Sequence, residues 1–572
     1  MKLYLNKKIS VFLIFCLLIS ISLGCGIFSH RKQIFPTTVQ RIIVPDSAPL
    51  TKIGLTDYSS YYAYGYGNWT FGAGLPYDQR LDLMPANFDA STLKKKTKLL
   101  SFSTISDVHI TDKEAPNQVI YHQQLHKDSL LSVAIGSGSM MYNTQFFNAT
   151  IQSINELHKQ SPFDFGLALG DAVNSSSYIE TRWYLDILDG KLINPSSGAH
   201  LGSATVDYQK PFQATGLDKN IPWYQVLGNH DHFWTGSFPV APAFQDSYAT
   251  SGVLKMKDFF NPSDANYYYM GVFDGMDSIG RIINAGPASA FTVPPTVVAD
   301  PDRRPITKTD WMKEFSNTVS SPTGHGFNLV DPAQEAGFAC YSFVPKSTIP
   351  LKVIVLDDTD PDDGDYTYIH GHGYLDQARW DWLKKQLADG DSAGQLMIIA
   401  AHIPIGVEPV ASGSGWSANS AVTQDDLVAE LQKHPNLIAW LSGHRHLNTV
   451  KAFVSPDPNH PEYGFWEIET PSLKDFPQQF RTFEINLNRD YTISIFTTDA
   501  DPIAPEGSLA AKSRKFAIGA IQIYRSVGWD RIIQRTNPTN DPTVKEMPTG
   551  SYNAELVKKL SPSMENILRK NF

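Results

Sequence analysis

Five apolar runs in this chain stop abruptly at side chains that bind cations, and that pattern constrains the fold more than anything else in the sequence. "LLSFSTIS" runs into Asp107 and His109 of "SDVHI", and "FDFGLALG" runs into Asp171. "IPWYQVLG" reaches Asn229, His230, Asp231 and His232; "GQLMIIAA" reaches His402; and "NLIAWLSG" reaches His444 and His446 of "GHRH". Short apolar runs bounded by turn residues read as buried strands, and the amphipathic stretches between them read as helices, which together predict an α/β protein. In an extended strand, residues two apart share a face, so Asp107 with His109, and His444 with His446, are expected to point into one pocket. The glycines before Asp171, Asn229 and His444 are expected to allow tight turns and close backbone approach.

Between the runs, "TQFFNATIQSINELHKQ" places Phe146, Ile151, Ile154 and Leu157 on one helical face. "YLDQARWDWLKKQLADG" forms another amphipathic helix, with Leu375, Trp382 and Leu383 in step and Gly390 near its stop. "TQDDLVAELQKHP" opens on a capping pair, Thr423 and Asp426, and ends at Pro435. Residues 26–97 read as a tether and an aromatic, turn-rich lead-in whose rings are expected to pack on the domain, a carbohydrate-binding strip being the other reading. Regular alternation lapses between 233 and 348, which reads as a long insertion or cap. Residues 496–572 read as a partly ordered C-terminal extension.

Carboxylates, imidazoles and one carboxamide suit a borderline cation, and the absence of cysteine from the set argues against a structural zinc site. Only Cys16, Cys25 and Cys340 occur in 572 residues, so no disulfide framework is expected. The formal charge of −10 gives no footprint for non-specific nucleic-acid binding. The first 24 residues pair a basic start with the apolar stretch "ISVFLIFCLLISISL" and read as an export signal. "SLGC" resembles a lipobox, which makes Cys25 a candidate for lipidation and a membrane anchor, and predicts a periplasmic or cell-surface location.

Taken together and in order, "SDVHI", "LGDAVN", "GNHD", "AAH" and "SGHRH" resemble the motifs of the calcineurin-like metallophosphoesterases, over residues 98 to 495. The resemblance implies a four-layer αββα sandwich of two mixed β-sheets flanked by helices. It also implies a pair of divalent or mixed-valence ions (Mn, Fe or Zn) about 3.5–4 Å apart. Carried over by position, Asp107, His109 and His446 would hold one ion, and Asn229, His402 and His444 the other, with Asp171 bridging. His230 would stabilise the transition state or protonate the leaving oxygen, oriented by Asp231. Asn174 occupies the place where purple acid phosphatases carry a tyrosine, which disfavours a ferric-tyrosinate enzyme.

The implied reaction is hydrolysis of a phosphomonoester or phosphodiester, with a small-molecule or lipid phosphoester as substrate. A non-catalytic exported binding protein that retains a metal site is the alternative. A metallo-β-lactamase pattern fails, because "HGHG" at His370 and His372 lacks the Asp-His that should follow. His232 is open between substrate contact and packing, and Arg445 between phosphate contact and a solvated surface. His122 and His126 sit four apart, on one helix face, with no role assigned.

Overall fold

The computed structural model describes residues 35–572 except 127–136, 241, 259–260, 262, 366–367, 408–414 and 527–550. The expected export signal (1–24) and Cys25 lie outside the described residues. Among the described residues no helix is long and apolar enough to cross a membrane.

The apolar runs do form strands, and they assemble into two mixed sheets within residues 36–572. One sheet has seven strands in the spatial order Asp78–Leu83, Ala554–Lys558, Ile493–Ala500, Phe480–Asn488, Lys95–Ile105, Phe165–Ala168 and Trp223–Gln225. The other has six, ordered Tyr341–Phe343, Leu351–Val355, Leu396–Ala400, Leu437–Ser442, Phe465–Glu469 and Thr449–Phe453. The strands 95–105, 165–168 and 223–225 run parallel, as do 351–355, 396–400, 437–442 and 465–469. Each parallel set therefore delivers its carboxyl-terminal loops to one edge, where open α/β sheets bind ligands. The αββα expectation describes this architecture.

Helices cover the outer faces. Asn143–Gln160 buries Phe146, Ile151 and Ile154 as the periodicity predicts, with Leu157 half-buried. On the six-stranded sheet, Gln377–Ser392 and Gln424–Leu431 bury Leu383, Leu387, Leu427 and Leu431 against Ile354, Met397, Ile399, Leu437 and Trp440. Thr423 accepts from Asp426 N–H at 3.1 Å, the predicted cap. Leu375 lies just before the 377–392 helix, whose cap is Asp376, accepting from Arg379 N–H at 2.7 Å.

The contact between the sheets is unusually polar. Arg481, fully buried, donates to the Glu469 carbonyl at 3.0 Å and to Asn448 Oδ1 at 3.0 Å, so a strand of one sheet is tied to the other. Thr104 and Thr470 hydroxyls meet at 2.8 Å across the same seam. Within the seven-stranded sheet, Phe102 is sandwiched between Phe165 and Phe483, with centroids 4.8 and 4.7 Å away.

At the C-terminal end the expectation is corrected, whereas the lead-in rings pack on the domain as expected. Residues 496–572 are not a tail: Ala554–Lys558 pairs with both Ile493–Ala500 and the lead-in strand Asp78–Leu83, inside the main sheet. The helix Leu509–Ser526 buries Phe516, Ile521 and Tyr524 against Tyr58, Tyr61 and Tyr66, so the lead-in tyrosines at these positions are core residues. The insertion from 233 contains a three-stranded sheet, Lys255–Lys257, Tyr267–Phe273 and Ile282–Pro287, but Tyr341–Phe343 already belongs to the six-stranded sheet. Cys340 is buried, makes no disulfide, and burial pushes its thiol up to about 12.

Truncating Phe102 to alanine empties the middle of this aromatic stack, in the strand that leads to Asp107. Phe102→Ala should cost about 3–5 kcal/mol in chemical denaturation, with no change in the denaturant slope.

Candidate metal centre

All seven residues predicted as ligands converge. Asp171 Oδ2 lies 3.6 Å from His109 Nε2 and 3.4 Å from His402 Nε2. On one side of it, His446 Nε2 is 3.1 Å from His109 Nε2 and 3.3 Å from Asp107 Oδ1. On the other, Asn229 Oδ1 is 3.0 Å from His402 Nε2 and 3.2 Å from His444 Nδ1. The Asn229 amide donates to the Gly236 carbonyl at 2.8 Å, which turns its oxygen toward the imidazoles. Two donor groups, Asp107–His109–His446 and Asp171–His402–His444, each lie within the reach of one cation. The set of oxygen and imidazole donors fits a pair of borderline ions.

The convergence does not come from strand alternation. The strands stop at Ile105 and Ser442, and Asp107, His109, Asp171, His444 and His446 all have φ between 48° and 75°. Left-handed backbone at non-glycine residues costs on the order of 1–3 kcal/mol each, and such residues cluster at functional sites. Here it folds each loop back so that donors from both sheets meet. Of the three flanking glycines only Gly170 is left-handed, at +95°. Gly228 and Gly443 act by closeness: a Cβ on Gly443 would stand 1.8 Å from Ser106 Oγ, and one on Gly228 would stand 2.2 Å from the Asp171 nitrogen.

Hydrogen bonds hold the loops in this shape. His444 N–H donates to both Asp107 oxygens at 3.2 and 3.0 Å, and His230 N–H to Asp171 Oδ1 at 2.9 Å. His402 Nδ1 meets the Leu169 carbonyl at 2.7 Å, while His402 N–H and Ile403 N–H donate to Asp358. His446 Nδ1 meets Asp475 Oδ2 at 2.6 Å, so a carboxylate backs that imidazole from behind. Asp475, Asp358 and Glu469 were not anticipated from the sequence.

Burial opposes charge on every imidazole of the cluster. Burial, then the neighbouring His230, pushes His109 well below the usual histidine range; burial, then His402, does the same to His444. His402 and His446 go the other way. Burial opposes their protons, but Asp171 raises His402 to about 10, and Asp107 with Asp475 raises His446 to about 10. Burial works against the Asp171 charge, yet His402 and His230 hold its carboxyl well below the ordinary range.

His230 is 6 % exposed and stands edge-on to His109, with ring centroids 4.5 Å apart. Its Nδ1 meets the Asn174 carbonyl at 2.8 Å. The expectation that Asp231 orients it is corrected. Asp231 instead accepts the backbone N–H groups of Gly228, Asp171 and Val173 at 2.8, 3.1 and 3.2 Å, binding the second and third motif loops together. Burial drives this difference, because a carboxylate inside the protein is satisfied by whichever N–H groups point at it, here those of the loop backbones.

The remaining candidates separate cleanly. His232 is buried, with Nε2 3.0 Å from Thr359 Oγ1. Arg445 is neither solvated nor open to phosphate: it is buried and paired with Glu469 at 2.6 Å. His370 packs on Phe233, and His372 meets the Tyr368 hydroxyl at 2.8 Å and Asp360 at 3.2 Å. Neither belongs to a cation-sized donor group among the described residues.

The model of the calcineurin-like phosphoesterase family matches residues 101–448, the span that carries every donor above. No curated protein sequence matches the chain significantly. Among solved structures, a dimetal phosphatase from Danio rerio aligns at 10 % identity and a TM-score of 0.35, covering 71 % of this chain and 98 % of its own. A protein described as a 5′-nucleotidase from Staphylococcus aureus, in complex with α-ketoglutarate, aligns at 11 % identity and a TM-score of 0.28, covering 72 % and 57 %. On the extent of the family match, this chain belongs to the calcineurin-like phosphoesterase family and is a metal-dependent phosphoester hydrolase.

Proposed function

We propose that the chain is an exported, dinuclear-metal hydrolase of small-molecule or lipid phosphomono- or phosphodiesters. One observation carries the two-ion reading: a single oxygen of Asp171 faces both donor sets, 3.6 Å from His109 and 3.4 Å from His402. Asp107, His109 and His446 would hold one ion, Asn229, His402 and His444 the other, and Asp171 would bridge. Manganese, iron and zinc all suit these donors. Bound there, a metal pair supplies charge neutralisation for the phosphate and an acidified water as nucleophile.

The chain's own residues do the rest. His230 has its Nδ1 committed to the Asn174 carbonyl, so Nε2 is the nitrogen left to trade a proton. Burial lowers its basicity, with Asp171 opposing, so a proton held there passes readily to a leaving oxygen. The neighbouring loops cover the donors on most sides: Asp107, His109, Asp171, Asn229 and His402 are buried, and His444 and His446 are half-buried. The insertion after residue 233 is read as the part that would choose the substrate, and the export reading rests on the basic and apolar first residues and on "SLGC".

A chromogenic phosphodiester assayed with Mn²⁺ tests this reading. His230→Ala should lower kcat at least about a hundredfold while elemental analysis shows unchanged metal; full activity removes its proposed role. Asp171→Asn should loosen both ions together, and loss of one alone would break the bridging assignment.

Metal uptake should also release protons. His402 and His446 hold theirs up to about pH 10 when no cation is bound, and a ligating imidazole must shed that proton. Binding at neutral pH should therefore release protons, and apparent affinity should rise with pH and fall on acidification. Calorimetric titration in buffers of different ionisation enthalpy measures the count.

A further inference from the structure

A second group of donors lies outside the catalytic centre. The short helix Ile120–Leu125 carries His122, and His126 follows at its C-cap, its N–H donating to the His122 carbonyl at 3.1 Å. The spacing of four stacks both rings on one side, with centroids 6.4 Å apart and planes within 27°. Asp258 comes from a distant part of the chain, just after the insertion strand Lys255–Lys257. Its Oδ1 lies 2.7 Å from His126 Nε2 and 4.0 Å from His122 Nδ1. The three donor atoms fall within 4.8 Å of one another.

We propose that His122, His126 and Asp258 bind a third cation, of the zinc class, which fastens the insertion to the segment following the first metal motif. A tetrahedral ion bound at about 2.0–2.1 Å separates its ligands by roughly 3.3 Å, and the observed 2.7 and 4.0 Å straddle that value. Two imidazoles and a carboxylate without thiolate match a borderline divalent ion. His122 and Asp258 are 3 % and 6 % exposed and His126 is 22 % exposed, so the donors are largely buried.

The position gives the ion a task. Directly beside the cluster, Val119 and Leu254 pack with Trp234, Tyr268 and Met270, and Leu254 N–H donates to the Pro116 carbonyl at 2.8 Å. Trp234 belongs to the loop that carries His230, and its indole donates to the Asn117 carbonyl at 3.1 Å. A cation on the three donors would clamp the insertion where it meets that loop. The competing account is a simple His126–Asp258 ion pair with no metal.

Equilibrium dialysis of the full chain against Zn²⁺, with elemental analysis, decides between them. In an Asp171→Asn background, which removes dependence on the dinuclear centre, adding Asp258→Asn or His126→Gln should each remove about one Zn²⁺ per chain. Equal zinc content in the paired proteins overturns the third site, whatever the dinuclear centre retains. Circular dichroism identifies any variant that has lost its fold, and the other variant then carries the comparison.

Discussion

The whole centre depends on burying two carboxylates, Asp107 and Asp171, inside a ring of imidazoles. Left alone, buried carboxylates are costly, and the protein offsets that cost twice. Backbone N–H groups of His444 and His230 donate to them, and those donors come from other loops. The Asp107 carboxylate, from the seven-stranded sheet, thereby holds a loop of the six-stranded sheet in place. Imidazoles supply the remaining compensation, with His402 and His446 retaining protons where cations would sit. A bound cation would take the place of those protons, and the hydrogen bonds that fix the donors are the same ones that tie loops of the two sheets together.

A second tier of acids makes this arrangement stiff. Asp231, Asp358, Glu469 and Asp475 each lie behind a motif loop, and each is occupied by a definite donor. Asp231 takes three N–H groups, Asp358 takes the backbone at His402 and Ile403, Glu469 takes Arg445 and Thr449, and Asp475 takes the His446 ring. Because the ligand loops adopt left-handed backbone at five positions, they would relax without such ties. In the sequence Asp231 looks catalytic, and Arg445 is open between phosphate contact and a solvated surface, because both sit inside the motifs. Their partners show them holding the loops.

Much of the centre was legible because each donor ends an apolar run, and a run that buries itself fixes where its next residues emerge. Element type followed for the same reason: 396–400 and 437–442 are continuous apolar strands flanked on both faces. The geometry that brings the donors together was not legible, since strand alternation and a left-handed loop place residues two apart on a common side equally well. Asp475 and Asp358 escaped notice because hydrogen bonding to a distant loop leaves no local spacing. The Ala554–Lys558 strand escaped because its partners, 78–83 and 493–500, are separated from it by long stretches of chain. Periodicity reports which face is buried and says nothing of the partner.

This division of labour explains how the fold carries so long an insertion. Most donors are set by strand ends and by the acids behind them; Asn229 is also held by the Gly236 carbonyl, at the start of the insertion. The insertion reaches that framework through Trp234, packed among Val119, Leu254 and Met270, close to the loop of His230. A change in the insertion can therefore reshape the entrance without moving Asp107, Asp171 or His402. The reverse does not hold: Trp234 and His230 share one short loop, so a shift of the insertion at this contact is transmitted to the one unligated imidazole on which proton transfer would depend. Asn229 lies in that same loop and bonds to the Gly236 carbonyl, so a shift there also reaches the second donor set.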